Sequence, residues 1–355
     1  MSSTKIVKLD YHNPDENLLE EAAEIIKSGG LVIIPTETVY GIAANMLNKK
    51  TIEKLSKIKN RPKDRPFSLH IYKKESIDEF AKDIPIYGYK LMDRFWPGPL
   101  TLVFKSEGKN SDTVGIRMPD DEIAFKIIAR SQVPVVCPSA NISGKPAPVN
   151  FEDAIKDLKG LVDFAIDAGP TRLQMESSVV DLTCEPWRIL REGAISKKDI
   201  EGVASKKTIL FVCTGNSCRS VMAKGLLEKK LKEAGRKDVE VLSAGIAIIS
   251  GYRATEETIE LMRKEGIDVS GHYTQRINPE MIKKSDVILV MEKMHESRIT
   301  QLVPQAKNRV FLLKEFAKIE DNNLDIADPI RKLMEVYEQT LYTIKEAIER
   351  VVKII

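Results

Sequence analysis

Cysteine is scarce in this chain: four residues, at 137, 184, 213 and 218, in a length of 355. That is too few for a disulfide scaffold and fits a reducing compartment, so the expected location is the cytoplasm. No Cys/His cluster has the spacing of a zinc site, and no protein-bound metal is expected. No apolar run approaches the roughly 20 residues of a membrane span. Met1–Lys8 lacks a signal-peptide core, and no membrane partner is expected. There is no Walker loop and no dinucleotide-binding glycine pattern, so an ATP site here must be of another type. Aromatic residues are only 6%. With no Arg/Lys-rich tail, this speaks against a pure RNA-binding module. A net charge of +3 predicts no strong nucleic-acid affinity by itself. No internal repeat or low-complexity segment occurs.

What is present describes a soluble globular chain, 43% hydrophobic and 30% charged. Its length predicts about two domains. The polar, lysine-rich stretch Ser196–Lys207 is the expected boundary. The expected domains are 1–205 and 206–355, each long enough for its own core.

The most informative segment is Cys213-Thr-Gly-Asn-Ser-Cys-Arg-Ser220. It follows the β-branched and aromatic run Thr208–Val212, which reads as a buried strand. Helical periodicity begins at Val221. A loop between strand end and helix N-terminus gathers free N–H groups and attracts anions. The same setting lowers a thiol from about 8.5 to roughly 3.5–7.5, which predicts a Cys213 thiolate. Arg219 offers a planar fork for oxyanions. Asp328, held extended by Pro329, offers a general acid. A nucleophilic sulfur, an arginine and a carboxyl suit phosphoryl transfer through phosphocysteine. Around this loop, strand runs (208–212, 238–242, 286–291, 309–313) alternate with helical ones (219–233, 254–265, 331–354). That alternation predicts an α/β fold with a doubly wound parallel sheet.

Residues 206–355 resemble the low-molecular-weight protein tyrosine phosphatases. The resemblance rests on the Cys213–Ser220 loop, Ser243-Ala-Gly245, Ser285–Met291 and Asp328-Pro329. It implies nucleophile Cys213, phosphate-binding Arg219, and Asp328 as acid then base. Thr214, Gly215, Asn216, Ser217, Cys218 and Ser220 complete the phosphate loop, with Asn216 and Ser220 bracing it. Cys218 matches the position of a protective disulfide partner. Ser217 and Ile330 depart from the tyrosine-specific pattern, a bulky aliphatic and an aromatic. A small hydroxyl residue at 217 resembles the protein-arginine phosphatase branch, whose substrate carries a planar guanidinium. Phosphorylated proteins are the implied partners, with phosphotyrosine the rival substrate.

The N-terminal half opens on a helical stretch, Glu16–Ser28, then strand Leu31–Ile34 and the turn Pro35-Thr-Glu-Thr-Val-Tyr-Gly41. Basic residues fall at 54, 57, 59, 61, 63 and 65, ending in a proline-punctuated loop that presents them. Fixed Lys and Arg suit a triphosphate. Further polar turns follow at Trp96–Thr101, Val114–Pro119, Pro138–Gly144, Ser177–Asp181 and Ile189–Gly193. Their hydroxyls, amide and arginines suit recognition of anions and small polar ligands.

In this order the segments resemble the YrdC-like threonylcarbamoyl-AMP synthases, over nearly all of 1–200. The resemblance implies a twisted α/β domain with a concave basic face. It implies that L-threonine, bicarbonate and ATP, with magnesium on the phosphates, give L-threonylcarbamoyl-adenylate and pyrophosphate. The product feeds a tRNA-modification machinery, and tRNA itself is a possible partner. Lys59, Arg61, Arg65, Thr113, Ser139, Asn141 and Arg191 match nucleotide-side positions. Thr36 or Thr38, His70, Arg117 and Ser177 match threonine-side positions, Arg117 facing the carboxylate. Arg65 and Val149 depart from the family's usual residues. The alternative for this half is an RNA-binding module without synthase activity.

Overall fold

The computed structural model describes residues 3–61, 66–108, 111–247 and 249–355. The candidate Arg65 lies outside the described residues. The chain divides into two compact units, Met1–Ala204 and Ser205–Ile355.

In the first unit eleven strands are described. They are β1 (Lys5–Lys8), β2 (Val32–Ile34), β3 (Gly41–Asn45), β4 (Leu69–His70), β5 (Ala81–Lys82), β6 (Leu100–Ser106), β7 (Thr113–Arg117), β8 (Val135–Val136), β9 (Phe164–Asp167), β10 (Ser178–Asp181) and β11 (Arg188–Arg191). They form one mixed sheet in the order β1-β9-β2-β3-β8-β4-β7-β6-β10-β11, with β5 on β6. The helix Glu16–Ser28 runs as its periodicity predicts. Leu19, Ala22, Ala23 and Ile26 form its buried stripe, Asp15 caps its start, and Gly29 ends it at a φ of 96°. Such a φ favours glycine.

The stretch expected as a linker is mostly a helix, Lys197–Ala204, and its Ile200 is fully buried. Ile200 joins Leu91, Leu102, Val180 and Ile195 in one core of the first unit. Lys197 and Lys198 at the exposed start of this helix disguised its apolar stripe.

In the second unit four parallel strands are described, β12 (Lys207–Cys213), β13 (Val239–Gly245), β14 (Val287–Val290) and β15 (Val310–Leu312). Their order is β13-β12-β14-β15. The chain passes from β12 to one side and later to the other, so the order reverses at the C-terminal end of β12. In open α/β sheets that switch point holds the ligand. Side-chain alternation along β12 fills both faces. Ile209 and Phe211 pack under the helices Arg219–Glu233, Glu256–Lys264 and Met334–Ile354. Leu210 and Val212 pack with Ile282 and Ile299 on the opposite face. Among the described residues no helix is long and apolar enough to cross a membrane.

Candidate active sites

A cavity of about 670 Å³ opens on the first unit. Lys59, Arg61, His70, Thr113, Arg117, Ser139, Asn141, Ser177 and Arg191 all line it. Pairing of β4 with β7 sets His70 beside Arg117. Lys59, just past the helix Lys49–Ile58, is buried. Its ammonium donates to Ser139 O at 2.6 Å, Asn141 O at 2.6 Å and Asn141 Oδ1 at 2.7 Å. Those three protons tie down the 139–141 turn, while the charge stays at the cavity wall. Burial, then Arg61, brings Lys59 down to about 8. Arg61 donates to Pro66 O at 2.8 Å and lies over the Phe67 ring.

Arg117 Nη2 sits 2.8 Å from Glu37 Oε1, a contact of charge whose angle makes no hydrogen bond. Arg117 Nε donates to Gly98 O at 3.3 Å. His70 is buried, and burial, then Arg117, pushes its ring down to about 3. It is therefore neutral at physiological pH. Arg191 donates to Ser177 O at 2.9 Å and Ser177 Oγ at 3.1 Å, and pairs with Glu176.

Thr36 and Thr38 do not line the cavity. Both are buried inside the turn after β2, where their hydroxyls meet at 2.9 Å and Thr36 Oγ1 donates to Val39 O. These hydrogen bonds shape the turn. Glu37, between them, is the residue that reaches Arg117, and sequence reasoning passed over it.

The second unit carries a pocket of about 390 Å³ at the end of β12, lined by Cys213, Ser217, Arg219 and Asp328 among others. Asn216 organises the loop. Its φ of 50° is left-handed, a conformation asparagine tolerates. Its Nδ2 donates to Ser220 Oγ at 2.9 Å and Ser243 Oγ at 3.0 Å, and its Oδ1 accepts from Gln275 N–H at 2.9 Å. His272 Nε2 meets Asn216 O at 2.8 Å. Cys213 Sγ lies 3.0 Å from Ser220 Oγ and accepts from Asn216 N–H at 3.2 Å.

The expected lowering of the Cys213 thiol is not what this arrangement gives. Burial pushes it up, opposed by Arg219, the Ser220 hydroxyl and N–H, and the Asn216 N–H. A thiol 2% exposed lacks the solvation that a free thiolate needs.

Arg219 is also buried. It pairs with Glu292 and Asp328, and donates to Ile326 O at 2.7 Å and Thr214 Oγ1 at 3.1 Å. Its Nε is buried without a hydrogen-bond partner. An orphaned cationic donor beside a sulfur nucleophile is a vacancy that an oxyanion satisfies. Gln275, His272, Glu292 and His295 come from segments whose sequence carried no visible signal.

Gly245 is needed where β13 ends against the loop. A Cβ there would stand 2.8 Å from Thr214 O and 3.0 Å from Asn216 N. Both are backbone atoms and cannot swing aside. Gly245→Ala is therefore expected to cut p-nitrophenyl phosphate turnover by about 10-fold or more, read as steady-state kcat, since loop donors must stay within hydrogen-bond reach of the oxyanion.

This α/β chain thus carries a basic polar cavity in its first unit and a cysteine–arginine loop in its second. Residues 24–193 match the Sua5_yciO_yrdC family model, described as "Telomere recombination". Residues 208–355 match that of low molecular weight phosphotyrosine protein phosphatase. A threonylcarbamoyl-AMP synthase of Pyrococcus abyssi (strain GE5 / Orsay) is 38% identical over 268 residues, 71% of this chain and 76% of that protein. The "Probable low molecular weight protein-tyrosine-phosphatase EpsP" of Ralstonia nicotianae is 38% identical over 143 residues, 40% of this chain and 92% of that protein. The structure of P. abyssi Sua5 complexed with L-threonine superposes with a TM-score of 0.55 at 29% identity, covering 87% of this chain and 99% of that one. The chain belongs to the Sua5-type threonylcarbamoyl-AMP synthases through its first unit and to the low-molecular-weight protein phosphatases through its second.

Proposed function

We propose that the first unit converts L-threonine, bicarbonate and ATP into L-threonylcarbamoyl-adenylate and pyrophosphate. The observation that carries this reading is the single cavity bordered by nine nucleotide-side and threonine-side candidates. The threonine amine bonds to the bicarbonate carbon and water leaves, giving an N-carboxylate. A carboxylate oxygen of that group attacks the ATP α-phosphorus, and the bond to the β-phosphate oxygen breaks. Arg117 holds the threonine carboxylate. Arg61 and Arg191 neutralise phosphate charge, and Lys59 holds Ser139 and Asn141 in place. Neutral His70 adds no competing charge near the amine. The adenylate supplies the threonylcarbamoyl group for adenosine modification in tRNA, with the transfer machinery as partner.

Magnesium would arrive on the triphosphate. Among the described residues no group of three or more His, Cys, Asp or Glu could hold a metal ion. The lining carboxylate Glu176 is paired with Arg191. The chain's own donors do not fit a resident ion, and no step is routed through one. The four cysteines are free thiols, which suits the cytoplasm.

For the second unit we propose hydrolysis of phosphorylated protein side chains, phosphoarginine ahead of phosphotyrosine. The substrate phosphate dianion takes the Cys213 proton as it enters. Sγ then attacks phosphorus while Asp328 protonates the departing nitrogen, and the P–N bond breaks. Water, losing its proton to Asp328, attacks the phosphocysteine and releases the sulfur. Ser217 borders the pocket and leaves room for a planar guanidinium. One feature favours the rival substrate: Tyr252, exposed at the mouth, restores an aromatic wall that Ile330 does not provide.

Ser217→Ile decides between the two. A branched chain there would face guanidinium N–H groups with hydrocarbon, at about 1–3 kcal/mol per unsatisfied group. The phosphoarginine-to-phosphotyrosine ratio of kcat/KM is expected to fall by about 10-fold or more, 1.4 kcal/mol per factor of ten. A native enzyme that prefers phosphotyrosine, with a ratio unmoved by the substitution, overturns the arginine assignment.

A further inference from the structure

His295 is completely buried beside the phosphatase loop, and the chemistry above makes no use of it. It is the third residue of the helix Lys293–Leu302. Its Nδ1 accepts the Glu292 N–H at 3.0 Å. Burial, then Arg219, brings the ring down to about 4, so it is neutral at working pH. A neutral imidazole whose Nδ1 accepts carries its proton on Nε2. That nitrogen stands 3.0 Å from Thr214 Oγ1, so His295 donates and the hydroxyl accepts.

Arg219 Nη2 donates to the same oxygen at 3.1 Å. A hydroxyl oxygen has two lone pairs, and both are now occupied. The Thr214 O–H must therefore act as a donor, and its one remaining direction is away from both neighbours. Thr214 borders the pocket that holds Cys213 and Asp328.

We propose that His295 is a positioning residue of the phosphatase: through Thr214 it presets a hydroxyl donor toward the oxygens of the transferring phosphoryl group. The proposal rests on the phosphatase reading above. During attack by Cys213 the equatorial oxygens gather charge. A donor fixed in advance stabilises that charge without reorienting. Without His295 the hydroxyl becomes free to turn its proton elsewhere and offer a lone pair to the oxyanion.

Two substitutions separate this role from helix capping. Asparagine at 295 keeps an oxygen for the Glu292 N–H and has nothing that reaches Thr214. Glutamine extends an amide N–H to about where Nε2–H stands. The test uses the full chain and p-nitrophenyl phosphate, with Thr214→Val as reference. His295→Asn is expected to lower kcat by about 10- to 100-fold, the scale for one preset donor, with KM unchanged. Thr214→Val is expected to do the same, the double variant to lose no more than Thr214→Val alone, and His295→Gln to recover most of the loss. Native kcat in His295→Asn, or losses that multiply in the double variant, overturns the proposal. So does a ¹⁵N-histidine spectrum placing the His295 proton on Nδ1. The spectrum reads His295 even in a chain without Cys213-dependent turnover, the outcome that would instead sink the phosphatase reading.

Discussion

Cys213→Ser is expected to reduce phosphatase turnover by on the order of 10⁶, the scale for removing a covalent nucleophile. Threonine-dependent pyrophosphate release should continue at the native rate. The first loss follows from chemistry. A serine hydroxyl in this loop keeps the Asn216 N–H and Ser220 neighbours, but an alcohol is far harder to deprotonate than a thiol. The survival of the other activity follows from organisation. Cys213 belongs to a core built within residues 205–355, and the basic cavity is lined wholly by residues of the first unit. Phosphatase assay and pyrophosphate release on one preparation check both halves. Loss of both activities in a folded variant would mean that the sites are not independent.

Lys59→Ala is expected to cripple adenylate formation by about 100-fold or more. Removing the ammonium leaves Asn141 O without its donor, while Ser139 O keeps only the Asn141 N–H and Asn141 Oδ1 keeps only the Ser139 hydroxyl. An unsatisfied buried group costs about 1–3 kcal/mol. The turn carrying Ser139 and Asn141 then loses its anchor, and the cavity loses a positive charge. Phosphatase turnover should be unaffected. The same lysine predicts a pH effect in the native chain. With its value brought down to about 8, the ammonium loses its proton as pH rises through that point. KM for ATP should therefore climb above pH 8, measured by pyrophosphate release at fixed ionic strength. A flat KM profile between pH 7 and 9 would show that this charge does not serve the nucleotide.

How much was legible in advance depended on whether the residues were contiguous. The Cys213–Ser220 loop is a single unbroken segment between a strand and a helix, and its nucleophile, arginine and turn residues could be read together. The long helices were legible for the same reason, since Leu19, Ala22, Ala23 and Ile26 repeat at helical spacing. The supports of the loop were not legible. Gln275, His272 and Glu292 reach Asn216 and Arg219 from far along the chain, and no local pattern marks such meetings. Thr36 and Thr38 lie buried in their turn, and a turn does not announce which hydroxyls fold inward. Cys213 misled because helix position and neighbouring charge could be read from sequence, while its burial could not. At 197–204 the lysines were visible, and the spacing of Ile200, Val203 and Ala204 under them was the missed sign of a helix.

The most direct test of the two-enzyme account is mass spectrometry of the nucleotide products formed from ATP, L-threonine and ¹³C-bicarbonate. The native chain should yield a threonylcarbamoyl-adenylate that is one mass unit heavier than its unlabelled counterpart. Its formation should vanish without threonine and persist in Cys213→Ser. Adenine nucleotides bearing neither threonine nor the labelled carbon, from a folded chain whose phosphatase is active, would contradict the account.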